Sequence, residues 1–297
     1  MVSRFSRRLI PVAAALWLAA TPAAAADEPP IGAAIEGVPV FDAHMHYKQE
    51  AWGTYPVRTV IELMDKSGVA MALVSSTPDD GTIRLFEYAP DRIVPELRPY
   101  HDGAGSSNWT KAAGMEAYLK DRLARYPHQG IGEFHIHRLD MEDRPLLAAV
   151  AALAKARTIP LHIHSGAEPV RFFYELEPGL TIIWAHAGMS EPAEVVGQML
   201  DTYPTLYADT SYRERDILGD GAALDPAWKA VIERHADRLM VGTDTWINAQ
   251  WDNYEDLIAL NRRWLALLPR ETAEKIAYRN AARLFNRTVP PRRPGAE

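Results

Sequence analysis

Short apolar, β-rich runs recur along the chain after its N-terminal segment, and longer stretches with helical spacing separate them. Each run is bounded by turn-forming residues, which is typical of strands buried in a parallel sheet. The predicted strands are Val38–Ala43, Ala70–Ser75, Ile93–Arg98, Gly130–Phe134, Pro160–His164, Thr181–Ala185, Leu206–Asp209 and Leu239–Gly242.

The intervening stretches predict helices at Ala117–Tyr126, Pro145–Arg157 and Asp225–Asp237. In the last of these, Asp225 suits the N-cap position and Pro226 the first helical position.

Strands that alternate with helices over this length predict an α/β fold, a (β/α)8 TIM barrel forming a single domain over residues 27–289. The alternative is a doubly wound open sheet, although no Gly-rich phosphate loop follows the first strand. The Pro-rich tail 290–297 is predicted to be disordered.

The N-terminus has the pattern of a secretory signal rather than of a folded segment. Arginines near the start precede an apolar run from Ile10 to Ala20, and Ala24–Ala26 form a small-residue cleavage site before Asp27. A membrane anchor is the alternative, but the apolar run is short for a bilayer span. We therefore expect residues 1–26 to be a signal peptide and the protein to be exported, periplasmic or secreted, without a stable membrane anchor.

Composition narrows the chemistry further. The chain has 297 residues, 47% of them apolar and 24% charged, with no cysteine and a formal charge of −7. The missing cysteines exclude a disulfide scaffold and any thiolate metal site. The acidic balance argues against a nucleic-acid partner, so a small-molecule substrate is expected. Whether the protein is a homo-oligomer is left open.

Histidine pairs lie at the ends of two predicted strands. His44 and His46 are two residues apart and point the same way, because side chains on a strand alternate faces. His162 and His164 share a face of the fifth strand, and His164, nearer the strand end, is the predicted metal ligand. In a barrel all these ends meet at one rim. For each pair taken alone, a structural role with other hydrogen-bond partners is the alternative.

Three more polar residues lie at predicted strand ends. His186 follows the sixth strand and Asp244 the eighth, where a carboxylate after a buried run is costly unless it is paired or binds a metal. A core histidine and a helix N-cap are the respective alternatives. Glu133, in the fourth strand, is predicted to bridge two metal ions or to act in proton transfer. The alternatives are that it only orients a ligand or that it pairs with Arg98.

Imidazole and carboxylate groups in this order suit a divalent cation such as zinc. A bound metal lowers the pKa of water towards neutrality and polarises a carbonyl group. Hydrolysis also needs a base for the proton of the water. Asp244 is predicted to be both ligand and proton acceptor, and His186 to orient the attacking oxygen or to bind a second ion.

At these positions the sequence resembles the amidohydrolase superfamily, in particular its amidohydrolase-related branch. The matching segments are Asp42–His46, His164–Gly166, His186–Gly188 and Gly242–Asp244, and Tyr278–Phe285 resembles the family's closing helix. The resemblance implies His44, His46, His164 and Asp244 as ligands of one divalent ion, usually zinc or manganese, and His186 as an activator of water or substrate.

Glu133 departs from the one-metal pattern of that branch. The pair Gly132-Glu133 is similar to the segment that carries the metal-bridging glutamate of TatD-type and phosphotriesterase-like members. The expected cofactor is therefore one or two divalent ions, with Zn²⁺ favoured over Mn²⁺.

Substrate contacts are expected from the loops at the rim. The candidates there are Arg98, His101, His135, His137, Arg213 and Trp246. Because arginine pairs well with carboxylate or phosphate, an anionic substrate is one expectation, and structural ion pairs of the arginines are the alternative.

Three functions follow from this pattern. The first is a metal-dependent hydrolase that activates water for attack on a C–N, ester or lactone bond. The second keeps the site but carries out non-oxidative decarboxylation of an unsaturated or aromatic carboxylic acid. The third is an exported binding protein without turnover, which would not need the complete ligand set that this sequence retains.

Overall fold

The computed structural model describes residues 35–219 and 223–290 of the chain. The predicted signal peptide at residues 1–26 lies outside the described residues, as does all of the predicted disordered tail except Pro290. Within the described ranges, no helix combines the length and apolar character needed to cross a membrane.

In this described part of the chain, eight parallel strands form the centre of the fold, one at each place where the sequence predicts a strand. Their bounds are β1 Val40–Met45, β2 Val69–Val74, β3 Ile93–Pro95, β4 Ile131–His135, β5 Leu161–His164, β6 Ile182–Trp184, β7 Leu206–Asp209 and β8 Leu239–Met240. The strands pair in chain order, β1 to β3 in one sheet and β4 to β8 in another.

Backbone hydrogen bonds join the two sheets at both edges. Leu97, just after β3, forms a parallel bridge with Ile131 of β4. At the other edge, the N–H of Ala43 donates to the carbonyl oxygen of Val241 at 2.9 Å, and that of Thr243 to His44 at 3.2 Å. These bonds connect β3 to β4 and β8 to β1, so the strands form the predicted barrel.

Helices connect the strands and continue after β8. They are α1 Val57–Ser67, α2 Asp80–Tyr88, α3 Met115–Arg125, α4 Arg144–Arg157, α5 Ala167–Leu176, α6 Ala193–Thr202, α7 Glu214–Leu218, α8 Pro226–His235, α9 Ala249–Asp252, α10 Tyr254–Leu265, α11 Arg270–Glu274 and α12 Asn280–Leu284. Short 3-10 turns lie at Gln49–Ala51, Trp109–Lys111 and Ala185–Gly188, and a π-turn lies at Lys275–Arg279.

The three predicted helices correspond to α3, α4 and α8, with ends that differ by up to two residues. The predicted cap of α8 is confirmed, because Asp225 accepts hydrogen bonds from the backbone N–H groups of Ala227 and Trp228. Pro226 then begins the helix where a missing N–H costs nothing.

Most strands differ from the prediction by one to three residues at an end, and β1 and β3 are two examples. β1 runs on through His44 to Met45, since Met45 still pairs with Val74 of β2. β3 ends at Pro95 instead of Arg98, yet the backbone stays paired further on, because the N–H of Glu96 donates to Val74 at 2.9 Å. Residues after β3 therefore remain fixed against the neighbouring strands.

Apolar side chains of the strands and helices form the core. Those of α4, α5 and α6 at Val150, Val170 and Val196 are fully buried. A second apolar cluster lies where Phe41 of β1 meets Phe285, next to α12, with ring centroids 6.1 Å apart. This contact joins the C-terminal helix to the first strand.

Candidate metal centre

The carboxyl ends of the strands place the predicted ligands at one end of the barrel. His44 lies in β1, Glu133 in β4 and His164 at the end of β5, while His186 and Asp244 lie just beyond β6 and β8. Polar side chains that are far apart in the sequence therefore come within a few ångströms of each other. They form two groups, and both groups contact the carboxylate of Glu133.

The first group contains His44, His46 and Asp244. The Nε2 atoms of the two histidines are 3.1 Å apart. Oδ1 of Asp244 lies 2.9 Å from Nε2 of His46 and 3.5 Å from Nε2 of His44. Oε2 of Glu133 lies 3.4 Å from Nε2 of His46, so nitrogen and oxygen donors surround one point.

The other ring nitrogens of this pair face hydrogen-bond acceptors. Nδ1 of His46 lies 2.7 Å from the carbonyl oxygen of Ser75, and Nδ1 of His44 lies 3.3 Å from Oδ2 of Asp209. In the neutral rings with the proton on Nδ1, both Nε2 lone pairs point to the same place, where the two nitrogens are 3.1 Å apart. Burial lowers the pKa of His44, but Asp209 and Asp244 raise it well above its usual value, so this place favours positive charge and the donor set fits a divalent metal ion.

The second group contains His164 and His186. Nδ1 of His164 lies 2.6 Å from Oε1 of Glu133 and 3.2 Å from Nε2 of His186. Nε2 of His186 is also 3.6 Å from the same Glu133 oxygen. Nδ1 of His186 faces the carbonyl oxygen of Ser211 at 3.1 Å, which again directs a lone pair on Nε2 towards the site.

Glu133 lies between the two groups, with one oxygen towards each. Nη2 of Arg98 lies 2.6 Å from Oε2, and Nε of Arg98 donates to the Glu133 carbonyl oxygen at 3.1 Å. Burial opposes ionisation, but Arg98 and the surrounding histidines hold the pKa of Glu133 well below its usual range. The predicted pairing with Arg98 is therefore present, together with an orientation that suits a bridging ligand.

The position of Glu133 depends on the glycine before it. Gly132 has a φ of +148°, and a Cβ atom there would lie 2.4 Å from the carbonyl oxygen of His162 in β5. No side chain fits in that space, so only glycine allows β4 to approach β5 this closely.

Asp244 is a buried anion with a constrained backbone. Burial raises its pKa, but His44 and His46 act more strongly in the opposite direction and lower the pKa to about 2. The residue has a φ of +47°, and its N–H donates to the carbonyl oxygen of His44 at 2.6 Å. Aspartate is one of the few residues other than glycine that adopt this left-handed conformation readily.

A second layer of buried charge lies beneath the first group. Oδ2 of Asp209 is 3.1 Å from Nε2 of His162, whose Nδ1 is 3.1 Å from Oε2 of Glu96. Burial alone would lower the pKa of His162, but the two carboxylates raise it to about 9. Asp209 and Glu96 were not predicted from the sequence, and the only signal was a carboxylate at the end of a buried run. Both position His44 through this network.

His135 lies beside the second group. Its ring stacks on that of His164 with centroids 3.9 Å apart, and its Nδ1 lies 2.8 Å from the hydroxyl of Tyr100. Burial lowers the pKa of His135 to about 3, so the ring is neutral. Donor atoms of Glu133, His135 and His164 also lie within 4.8 Å of one another.

The other predicted substrate contacts are distributed around the rim. His137 and His164 line a cavity of about 370 Å³, and His137 is exposed. Trp246 is 48% exposed, and its Nε1 donates to the Tyr212 hydroxyl at 2.8 Å. These side chains are open to a ligand.

Three of the predicted substrate contacts are held by other parts of the protein, and Arg98, which is paired with Glu133, is one of them. His101 stacks on Tyr118 of α3 with centroids 3.7 Å apart, and its Nδ1 lies 3.1 Å from Oδ2 of Asp102. Arg213 is buried, and its guanidinium donates to the carbonyl oxygens of His186, at 3.3 Å, and Glu191, at 2.8 Å. Arg213 therefore fixes the turn that carries His186.

Known proteins share this architecture. A family model described as amidohydrolase matches residues 41–287 of the chain. No curated protein matches it significantly.

Three solved structures illustrate the structural similarity. A TatD homologue from Escherichia coli is 16% identical with a TM-score of 0.59, covering 85% of this chain and 100% of its own. A lactonase from Listeria monocytogenes is 13% identical with a TM-score of 0.59, covering 86% and 96%. A probable 2-pyrone-4,6-dicarboxylic acid hydrolase from Acinetobacter baumannii, crystallised with citric acid, is 15% identical with a TM-score of 0.55, covering 83% and 99%. At these identities the likeness establishes the fold.

Proposed function

Because this chain belongs to the amidohydrolase family, we propose that it is a hydrolase that uses two divalent metal ions to cleave a small lactone or ester. The chain is an enzyme of that superfamily, and the proposal concerns its metal count, its bond class and its site residues.

The observation that carries the proposal is the orientation of Glu133 between two histidine pairs. Oε2 is 3.4 Å from Nε2 of His46, and Oε1 is 2.6 Å from Nδ1 of His164. One ion would be bound by His44, His46, Asp244 and Glu133. The other would be bound by His164, His186 and Glu133. Zinc suits these nitrogen and oxygen donors, and manganese is the alternative.

When bound, such ions supply Lewis acidity for a carbonyl oxygen and lower the pKa of water towards neutrality. Asp244 supplies the proton acceptor, because its carboxylate is ionised at neutral pH and lies in the first group. After attack on the ester carbon, the same carboxyl group returns its proton to the leaving oxygen. Arg98 and Asp209 keep Glu133 and His44 oriented through the contacts described above.

A lactone or ester is favoured over an amide because two of the structural neighbours carry lactone-related names. The rim supports a small ligand, since the cavity beside His164 has a volume of about 370 Å³. Amides remain the alternative bond class.

Metal analysis of the purified full chain after zinc loading tests the metal count. We expect two ions per chain in the wild type and one in His186→Asn, because the first group stays intact. His235→Gln, a histidine change on α8 outside both groups, should keep two. A wild-type value of one would reject the bridging role of Glu133, and a value of zero would reject the metal-dependent reaction.

A screen of the zinc-loaded protein tests the bond class. It should contain small lactones, 4-nitrophenyl esters, amides and unsaturated carboxylic acids. Ring opening or ester cleavage with uptake of water is expected. Release of carbon dioxide without consumption of water would support the decarboxylase alternative instead.

We also propose export, supported by the signal-like pattern before Asp27. The protein isolated from its host should begin at Asp27, and an N-terminus at Met1 would contradict this.

A further inference from the structure

Two hydrogen bonds join the side chain of Tyr100 to a single residue, His135. The backbone N–H of His135 donates to the Tyr100 hydroxyl oxygen at 2.9 Å. The same oxygen lies 2.8 Å from Nδ1 of the His135 ring. Tyr100 is only 4% exposed, so its side chain is largely shielded from water.

This arrangement favours one position for the proton of the His135 ring. The Tyr100 hydroxyl accepts the amide hydrogen of His135 and has one hydrogen of its own to donate, for which Nδ1, 2.8 Å away, is an acceptor within hydrogen-bonding distance. A neutral imidazole that accepts at Nδ1 carries its proton on Nε2. If the ring were protonated at both nitrogens, Nε2 would still carry a proton. Nε2 is therefore a hydrogen-bond donor in either state.

The surroundings fix the ring beside the second histidine group. It stacks on His164 with centroids 3.9 Å apart and planes inclined by 20°. Nε1 of Trp109 donates to the carbonyl oxygen of His135 at 2.8 Å, which fixes the backbone. The side chain is only partly buried, and within residues 35–219 and 223–290 no hydrogen-bond acceptor is found for Nε2.

We propose that Nε2–H of His135 donates a hydrogen bond to an oxygen atom of the substrate, and that Tyr100 is its positioning residue. The ligand chemistry implied is an oxygen acceptor next to the reacting carbon, such as a carbonyl, carboxylate or developing oxyanion. This inference rests on the proposed function, and it adds a donor that is contributed by neither the metal ligands nor Arg98.

A metal-ligand role for His135 is the competing explanation, because its donor atoms lie near those of Glu133 and His164. Ring-nitrogen NMR of the zinc-loaded full chain, labelled with ¹⁵N-histidine, separates the two. We expect a protonated Nε2 and an unprotonated, hydrogen-bonded Nδ1 for His135. His135→Gln assigns the signals. An Nε2 without a proton in the zinc-loaded protein would overturn the proposal.

Inorganic phosphate serves as an oxyanion probe that needs no turnover. We expect its addition to move the Nε2–H proton signal of His135 downfield. In Tyr100→Phe, the two tautomers should become mixed, and phosphate should bind roughly threefold to tenfold more weakly, as for one lost hydrogen bond. Tyr88→Phe, at an exposed tyrosine, should match the wild type. An unmoved His135 signal at saturating phosphate would overturn the proposal, as would unchanged phosphate affinity in Tyr100→Phe.

These measurements are independent of activity. If no lactone, ester or amide is cleaved, the proposed function fails while the proton position of His135 is still decided. If a substrate is found, His135→Gln should lower kcat/KM at unchanged zinc content, and a loss of zinc instead would favour the ligand role.

Discussion

Arg98 and Glu133 form a buried ion pair between the segment that follows β3 and the strand β4, with Nη2 and Oε2 2.6 Å apart. Their side chains are only 6% and 2% exposed. Through this ion pair, the carboxylate between the two histidine groups contacts the segment that follows β3. The same Glu133 oxygen faces His46, a candidate metal ligand. Arg98 therefore neutralises a negative charge that bound metal ions would also neutralise.

Arg98→Met should therefore destabilise the metal-free protein more than the zinc-loaded protein. Removing one partner of a buried pair costs roughly 3–5 kcal/mol, and a bound cation supplies part of the missing charge. Urea unfolding with EDTA and with zinc measures both values. Arg58→Met, which breaks an exposed pair with Glu62, should change neither. If Arg98→Met lost the same unfolding free energy with zinc as with EDTA, Arg98 and the metal would not neutralise the same charge.

Asp244→Asn should lower kcat by a factor of about 10² to 10⁴ at saturating zinc, because an amide cannot accept the proton of the attacking water. The pKa of about 2 keeps the native carboxylate ionised across the neutral range. Steady-state kinetics on the substrate found in the screen provide the measurement, and the exposed Asp91→Asn is the control. Full activity in Asp244→Asn would exclude Asp244 as the base.

Gly132→Ala should cost roughly 2–4 kcal/mol of unfolding free energy, since the new Cβ would lie 2.4 Å from the carbonyl oxygen of His162. Gly103→Ala separates this clash from backbone strain. Gly103 also has a positive φ, +83°, but nothing lies within 4 Å of its added Cβ. The Gly103→Ala variant should therefore lose only about 1 kcal/mol of unfolding free energy. Similar losses in both variants would remove the argument that β4 requires glycine.

Glu214→Gln should change the pH dependence of stability. Burial raises the pKa of Glu214 from 4.5 to about 7, so the folded state binds its proton more tightly than the unfolded state. This tighter proton binding stabilises the folded protein fully below pH 4.5. The stabilisation, at most about 3 kcal/mol of unfolding free energy, is lost as the pH rises through 7. The glutamine variant should therefore gain stability relative to wild type between pH 5 and pH 8. A constant difference across that range would contradict a raised pKa.

Local sequence determined the strands of this fold and the helices α3, α4 and α8. The apolar runs identified each strand of the described residues, because buried parallel strands have few polar positions and end at turn residues. Asp225 and Pro226 identified the start of α8 through bonds within one helical turn. Spacing also placed His44 and His46 on one face.

Tertiary structure alone decided how these side chains are grouped. Resemblance alone implied a single ligand set of His44, His46, His164 and Asp244. In the structure, Nδ1 of His164 lies beside His186 and the Oε1 atom of Glu133, away from His46. Nothing local distinguishes Arg213, which binds carbonyl oxygens, from an arginine that faces a substrate. The order of the strands and the alternation of side chains along each strand determine which end and which face of the barrel a residue reaches. The distances between side chains across the barrel depend instead on strand tilt, on side-chain rotamers and on close approaches such as that at Gly132.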